Sequence, residues 1–196
     1  MANAKRITLD RRKVVARVLR DRGDALLITG LGAPSFDAMA AGDSLNNFYV
    51  WSGMGSAVPF GLGLACAQPG RRVLTVTGDG EMLMGLGSLA TVAVQRPANF
   101  AVVVIDNQRY GETGGQLTHT EFGVDIPAMA KGAGFREVAT VYTNAELEEA
   151  VPLILKGEGP VFVTVKVRPE PAKIVLPPRD GPMMRHRFRA NLLGEG

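Results

Sequence analysis

A carboxylate and an amide follow two strand-like runs of this sequence. Asp79 lies between two glycines directly after the apolar run 73–77, and Asn107 follows the apolar run 101–105. Because the carboxyl ends of parallel strands meet at one edge of a sheet, where ligands bind, we expect the two side chains to lie together. Carboxylate and amide oxygens are ligands that Mg²⁺ prefers, commonly beside phosphate groups. The pair therefore predicts a magnesium site with Asp79 and Asn107 as metal ligands.

A diphosphate is the anion that this sheet edge favours. Its charge needs backbone N–H donors at a helix N-terminus, and glycine lets the backbone approach closely. Gly78 and Gly80 allow that approach, and Glu81 and Met82 continue into the next predicted helix. We therefore predict that the turn from Gly78 to Glu81 binds a diphosphate-containing cofactor together with the metal at Asp79.

Strand-like and helix-like patterns alternate along the chain. The predicted helices lie at 10–22, 56–67, 86–95 and 144–156, and the predicted strands at 25–29, 48–51, 73–77, 101–105 and 160–167. Asp10 and Asn144 are the predicted N-caps of the first and last of these helices. Such alternation is typical of an α/β fold, here with three layers: a mainly parallel sheet and helices on both faces.

The last residues of the chain have a different composition. Five prolines lie between residues 168 and 182, and proline removes a backbone donor that a sheet needs. We therefore predict one domain over residues 1–167 and an extended, proline-rich C-terminal tail over residues 168–196.

Size and charge restrict the class of protein. The chain has 196 residues, 46% of them hydrophobic, which suits a single domain with a substantial core. The net charge of +3 is small, and the basic segments 5–22 and 168–189 carry no nucleic-acid-binding motif, so we expect no nucleic-acid partner. Since no apolar run has the length of a membrane span and no signal-peptide core precedes the domain, we expect a soluble, cytoplasmic protein without a membrane partner.

The single cysteine, Cys66, lies in the apolar run 61–67. It cannot form an internal disulfide, and it has no partners for a zinc or iron–sulfur site. We therefore predict that it packs as a small buried hydrophobic residue. His186, in the proline-rich tail, is predicted to lie at the surface.

The Gly-Asp-Gly turn around Asp79, followed by Asn107 after the next strand, resembles the diphosphate-binding signature of thiamine diphosphate enzymes. The resemblance covers residues 8–167 and implies the thiamine diphosphate-binding fold, with thiamine diphosphate and Mg²⁺ as cofactors. In that family a backbone carbonyl two residues beyond the asparagine completes the metal ligands from the protein. The implied set is Asp79, Asn107 and the carbonyl of Arg109.

The stretch 52–59 resembles the turn that lies beneath the cofactor in the same family. There, a bulky apolar side chain holds the two cofactor rings in a bent conformation, and Met54 stands at that position. The carbonyl of Ser52 is implied to accept a hydrogen bond from the amino group of the pyrimidine ring. The family usually has glycine where this chain has Ser52.

The polar, glycine-rich run 109–120 resembles the corresponding segment of sulfopyruvate and phosphonopyruvate decarboxylases. Tyr110 and Gly111 are its implied cofactor contacts. The candidates for substrate contact or proton transfer are Glu112, Gln116, Thr118 and His119. We assign the catalytic roles to Glu112 and His119, since a histidine can exchange protons near neutral pH.

One group that the family's chemistry needs is missing from these motifs. A glutamate must hydrogen-bond the pyrimidine ring, and in the family it comes from a separate pyrimidine-binding domain. The resemblance therefore implies a partner subunit, as in the beta subunit of sulfopyruvate decarboxylase. The expected function is that of the diphosphate-binding subunit of a two-subunit 2-oxo acid decarboxylase. It would release carbon dioxide and an aldehyde from a small 2-oxo acid with a second anionic group.

Three other functions compete with this expectation. An acetolactate-synthase-like carboligase subunit would form the same intermediate and add it to a second carbonyl. A non-catalytic cofactor-binding subunit is disfavoured by the intact pair Asp79 and Asn107. The beta subunit of a 2-oxo acid:ferredoxin oxidoreductase normally carries cluster-binding cysteines, and this chain has only Cys66.

Overall fold

A computed structural model describes residues 7–51 and 53–195. The helices are α1 Arg11–Arg20, α2 Ala33–Ala40, α3 Ala57–Ala67, α4 Asp79–Met84, α5 Ser88–Gln95, α6 Ile126–Ala133, α7 Asn144–Lys156 and α8 Gly181–Leu193. The strands are β1 Leu26–Thr29, β2 Asn47–Tyr49, β3 Val73–Gly78, β4 Phe100–Asp106, β5 Arg109–Tyr110, β6 Gln116–Leu117, β7 Glu137–Val141 and β8 Val161–Lys166.

A six-stranded sheet with the order β2-β1-β3-β4-β8-β7 forms the middle layer, and its neighbouring strands pair in parallel. Every residue of β4 is buried, because helices cover both faces of the sheet. One hydrophobic cluster joins one face to α1, α2 and α7, and a second joins the other face to α3, α5 and α6. The predicted three-layer α/β fold is confirmed.

The helix boundaries depend on local capping groups, and one predicted cap is wrong. Asp10 caps α1 as predicted, since its carboxylate accepts a hydrogen bond from the N–H of Lys13 at 3.0 Å. Asn144 does not cap α7. The cap is Thr143, whose hydroxyl accepts from the N–H of Glu146 at 3.2 Å in a reciprocal capping box.

The C-terminal segment is only partly extended, which corrects the prediction of an extended tail. Residues 168–180 have no regular secondary structure, but α8 follows them. Asp180 accepts from the N–H of Met183 at 2.9 Å, and Pro182 occupies the first turn, where a missing N–H costs nothing. Phe188 of α8 is buried against Phe48 of β2. The division into domain and tail stays a prediction.

Two surface predictions have opposite outcomes. Cys66 is exposed on α3, so the prediction of a buried small residue is wrong. The residue that faces the core at this part of the helix is its neighbour Ala65. His186 is exposed as predicted. In the part of the chain that is described, no helix has both the length and the apolar character needed to cross a membrane.

Candidate functional site

The two predicted metal ligands stand at neighbouring strand ends. In the parallel pair β3–β4, Gly78 lies opposite Ile105, so Asp79 and Asn107 leave the sheet at the same carboxyl edge. Asp79 is also the first residue of α4, whose N-cap, Gly78, has extended backbone. The predicted juxtaposition of a carboxylate, an amide and a helix start is therefore present.

Asp79 is a buried carboxylate, with 2% of its surface exposed. The hydroxyl of Thr118 donates a hydrogen bond to its Oδ2 atom, and the hydroxyl of Thr120 lies 3.2 Å from the same atom. Burial, together with the charge of Asp106, raises the pKa of Asp79 to about 6, although both hydroxyls act to lower it. A carboxylate in this environment gains strongly from a bound cation.

Asp106 is a second buried carboxylate beside Asp79, but it has a cation partner. The ammonium of Lys166, at the end of β8, donates to Oδ2 of Asp106 at 2.5 Å. Oδ1 of Asp106 accepts from the hydroxyl of Thr120 at 2.9 Å. Among the described residues, Asp79 has no such ion pair, so it is the carboxylate available to a metal.

Asn107 opens a tight turn. Its side-chain oxygen accepts a hydrogen bond from the N–H of Arg109 at 3.0 Å and keeps a second lone pair. Gln108, between them, has a positive φ of 60°, which the turn requires. The side chain of Arg109 does not extend into the site, because its guanidinium hydrogen-bonds the carbonyl of Gln108 and pairs with Glu121 at 3.4 Å.

The donor set at this edge suits Mg²⁺. In the described ranges, no three His, Cys, Asp or Glu side chains form a metal-binding cluster, so a metal at Asp79 needs amide and carbonyl oxygens as further ligands. One carboxylate and one amide oxygen leave coordination positions for phosphate oxygens and water, as Mg²⁺ usually has in nucleotide and diphosphate sites. The residues present therefore fit the metal predicted from the sequence.

The glycines on either side of Asp79 have different environments. A Cβ atom at Gly78 would meet no atom within 4 Å, so the space beside this residue is open. A Cβ atom at Gly80 would lie 2.3 Å from the ring of Tyr110. Tyr110 therefore packs directly on the predicted diphosphate-binding turn, and only glycine fits beneath its ring.

The side chain of Glu81 points into the protein. It is buried, and its Oε2 atom accepts a hydrogen bond from the hydroxyl of Thr77 at 2.7 Å. Burial raises its pKa, while the hydrogen bond from Thr77 and the nearby backbone N–H groups of Gly55, Ala57 and Leu31 act to lower it. The backbone of Glu81 thus lies in the predicted diphosphate-binding turn. Its carboxyl points away from this turn, toward the turn at Gly30 and the turn at Gly55. One of them, the turn at Gly30, was not predicted as part of the site.

The turn that carries Met54 packs against the end of α4. A Cβ atom at Gly85 would lie 2.1 Å from the carbonyl oxygen of Gly55, so the two backbones touch. Met54 is 47% exposed, which excludes a role as core filler. This position agrees with an apolar support for a bound molecule. Ser52, the predicted hydrogen-bond acceptor, lies outside the described residues.

The run 109–120 begins as an antiparallel hairpin of β5 and β6. Gly111, Glu112 and Gln116 are exposed in it. The carboxyl of Glu112 lies next to the turn after β1. A Cβ atom added at Gly32 in that turn would lie 2.8 Å from Oε1 of Glu112. The side-chain amide of Gln116 donates a hydrogen bond to the backbone carbonyl of Thr113 at 2.7 Å.

The two candidates after the hairpin are placed differently. His119 is exposed at the start of a short 3₁₀ turn, His119–Phe122. Thr118 is fully buried against Asp79, so it supports the predicted metal ligand and does not face a substrate. Sequence reasoning missed Thr120, Asp106 and Lys166. The signal for Asp106 was its place directly before Asn107.

Known proteins resemble this chain along most of its length. Residues 31–165 match the family described as thiamine pyrophosphate enzyme, C-terminal TPP binding domain. Sulfopyruvate decarboxylase subunit beta of Methanothermobacter thermautotrophicus is 36% identical over 186 residues, which are 95% of this chain and 97% of that protein. Phosphonopyruvate decarboxylase of Streptomyces viridochromogenes is 38% identical over 168 residues, 85% of this chain and 42% of that protein.

Solved structures show the same fold. The thiamine diphosphate-dependent 4-hydroxybenzoylformate decarboxylase of Rhodococcus jostii superposes with a TM-score of 0.72 at 22% identity, over 88% of this chain and 35% of that one. This chain therefore spans about a third of that longer protein. Together with the match over residues 31–165, these findings show that the chain belongs to the thiamine pyrophosphate enzymes and carries their C-terminal cofactor-binding domain.

Proposed function

We propose that this chain is the diphosphate-binding subunit of a two-subunit, thiamine diphosphate- and Mg²⁺-dependent 2-oxo acid decarboxylase. The observation that carries the proposal is the buried Asp79 without an ion-pair partner among the described residues, placed beside Asn107 at the carboxyl edge of the sheet. A relative that this chain matches over 97% of its length is named as a subunit of a decarboxylase, which supports the division into subunits.

The predicted metal ligands, the diphosphate-binding turn and Met54 each have a defined part in this proposal. Asp79, Asn107 and the carbonyl of Arg109 hold Mg²⁺, and the turn from Gly78 to Glu81 offers N–H groups to the diphosphate. Met54 supports the cofactor from below. When bound, the cofactor supplies an electron sink for the loss of carbon dioxide from a 2-oxo acid.

The partner subunit supplies the glutamate that contacts the pyrimidine ring. Of the buried carboxylates at this edge, Asp106 pairs with Lys166 and Glu81 accepts from Thr77, so neither serves that role. Met54 and Met84 are both exposed beside the touching backbones of Gly55 and Gly85. Exposed apolar side chains of this kind mark a surface that a partner covers.

The substrate class is a small 2-oxo acid with a second anionic group. Relatives at 36% and 38% identity are named for sulfopyruvate and phosphonopyruvate, both of which carry such a group. The exposed side chains of Gln116 on the hairpin and His119 in the turn after it supply polar donors on the substrate side.

The test is reconstitution with a candidate pyrimidine-binding subunit, in the presence of Mg²⁺ and thiamine diphosphate. Release of aldehyde is measured by proton NMR for sulfopyruvate, phosphonopyruvate, pyruvate and phenylpyruvate. We expect turnover of one of the two dianionic substrates by the complex, and none by the isolated chain or by the complex with Asp79→Ala. Steady turnover by the isolated chain would contradict the two-subunit proposal. A product longer than the substrate would identify a carboligase instead.

A further inference from the structure

Two buried carboxylates lie at the ends of β3 and β4, and the hydroxyl groups of two threonines contact them. Asp79 and Asp106 are 2% and 1% exposed. Thr120 places its hydroxyl 2.9 Å from Oδ1 of Asp106 and 3.2 Å from Oδ2 of Asp79. The hydroxyl of Thr118 lies 3.0 Å from that of Thr120 and donates to Asp79.

The number of hydroxyl protons limits how many of these contacts can be hydrogen bonds at one time. A hydroxyl has one proton to donate, so two threonines provide two donated hydrogen bonds for three contacts with carboxylate oxygens. Thr118 gives its proton to Asp79, and the shorter contact of Thr120 is with Asp106. In the described part of the chain, two side-chain hydroxyls contact the carboxylate of Asp79, and both contacts are with its Oδ2 atom. The other oxygen, Oδ1, is thereby left for a ligand.

Both threonines belong to the segment that follows the β5–β6 hairpin. Residues 111–117 of this hairpin region are exposed, whereas Thr118 and Thr120 are 0% and 5% exposed. The N–H of Thr118 donates to the carbonyl of Gln108 at 3.0 Å, and the side-chain amide of Gln108 donates to the carbonyl of Thr120 at 3.2 Å. The N–H of Gln108 also donates to Oδ1 of Asp106 at 3.1 Å, so the exposed hairpin is connected to the site at both of its ends.

We propose that Thr118 and Thr120 are positioning residues that orient Asp79 with one oxygen toward Mg²⁺ and fix the hairpin segment 109–117 to the metal site. The metal half of this inference rests on the proposed function, and the hairpin half does not. Hydrogen bonds to a metal ligand from residues behind it set its orientation, and their removal typically lowers metal affinity 10- to 100-fold.

The first measurement needs no metal, cofactor or partner. Amide hydrogen exchange of the hairpin residues 109–117 is compared for the full chain and its Thr118→Val and Thr120→Val variants, which lose the hydroxyl at nearly constant size. We expect exchange in the hairpin to become roughly 10- to 100-fold faster, as the loss of a hydrogen bond to a charged group predicts. Unchanged exchange in both valine variants would overturn the hairpin half of the proposal.

The second measurement is calorimetric titration of thiamine diphosphate at increasing Mg²⁺ concentration. The Mg²⁺ concentration for half-maximal cofactor binding should rise by roughly 10- to 100-fold in the valine variants. Thr118→Ser and Thr120→Ser keep the hydroxyl, and both should restore the wild-type Mg²⁺ dependence. A valine variant with unchanged Mg²⁺ dependence, or serine variants as impaired as valine, would overturn the metal half.

Thr164→Val is the matched control, since Thr164 is a fully buried threonine on β8 whose hydroxyl has no hydrogen-bond partner among residues 7–51 and 53–195. It should leave hairpin exchange and Mg²⁺ dependence unchanged. If a valine variant does not fold, the serine variant and Thr118→Ala provide the same comparison. Wild-type Mg²⁺-dependent binding without decarboxylation in the reconstituted complex would count against the proposed function and leave this inference standing.

Discussion

The Cβ position of Gly30 lies 1.6 Å from the Oε2 atom of Glu81. The carboxyl of Glu81 therefore occupies the space that any side chain at residue 30 would need. The N–H groups of Leu31 and Gly55 lie close enough to lower the pKa of this carboxyl, so Glu81 lies between the turn after β1 and the turn that carries Met54. Two turns of the sheet edge thus depend on one buried acid.

We expect Gly30→Ala to destabilise the chain by about 1–3 kcal/mol, because the added methyl group must displace the carboxyl of Glu81. The penalty should shrink in the Glu81→Ala background, with a coupling of at least about 0.5 kcal/mol in a double-mutant cycle of urea unfolding. Gly63→Ala is the control, since a Cβ there meets nothing within 4 Å in α3. It should stabilise the helix slightly. Additive effects of the two substitutions would contradict the contact.

Asp79→Ala and Asn107→Ala should each strongly weaken Mg²⁺-dependent binding of thiamine diphosphate. The physical reason is the loss of an oxygen ligand from a site that has few others. Circular dichroism should show an unchanged fold, and calorimetry should show the loss of binding. Glu149→Ala, at an exposed carboxylate of α7, serves as the control and should bind normally. Unchanged cofactor affinity in both site variants would refute the assignment of the metal ligands.

The stability of the metal-free chain should depend on the protonation of Asp79. Its folded pKa of about 6 lies above the ordinary value of 3.8. The folded state therefore binds the proton more tightly, and this stabilisation is present below pH 3.8 and lost as the pH rises through 6. The loss is on the order of 3 kcal/mol.

Asp79→Asn should remove this dependence. Urea unfolding of the wild type and the variant, each at pH 4.5 and 7, isolates Asp79 from Glu81 and Asp37, whose pKa values burial also raises. We expect the variant to gain stability relative to the wild type at the higher pH. Equal pH dependence of the two proteins would contradict the raised pKa.

Met54 should affect turnover more than cofactor affinity. Because its side chain is 47% exposed, Met54→Ala should change the stability of the isolated chain by less than about 0.5 kcal/mol. In the reconstituted complex, Met54→Leu should be mild, since it nearly conserves volume, while Met54→Ala should lower kcat. Full turnover of the alanine variant would show that the side chain does not support the cofactor.

His119→Ala distinguishes two roles of an exposed histidine. If His119 transfers a proton, kcat should fall by roughly 10²–10⁴ with little change in KM. If it only binds the second anionic group of the substrate, KM should rise while kcat persists. His186→Ala, at an exposed site on α8, is the matched control. Unchanged kcat and KM would remove His119 from the site.

The sequence alone determined the sheet edge and its two metal-ligand candidates. Continuous apolar runs such as 101–105 are local signals for strands buried on both faces, and the residues that follow them mark the strand ends. Since adjacent parallel strands end at one edge, the placement of Asp79 beside Asn107 follows from the pattern along the chain. The family could also be recognised from the sequence, because the motifs that carry the resemblance are short turns of consecutive residues.

Only the tertiary structure decided which side chains support those turns. Thr120 is 41 residues away from Asp79 in the chain, and Lys166 is 60 residues away from Asp106, so no local pattern connects them. The direction of Glu81 depends on the space that Gly30 leaves, which packing between separate turns defines. The helix α8 likewise forms where Phe188 is buried against Phe48. The prolines that precede this helix in the sequence do not predict that contact. Contacts between distant segments decide these features, because burial there outweighs local preference.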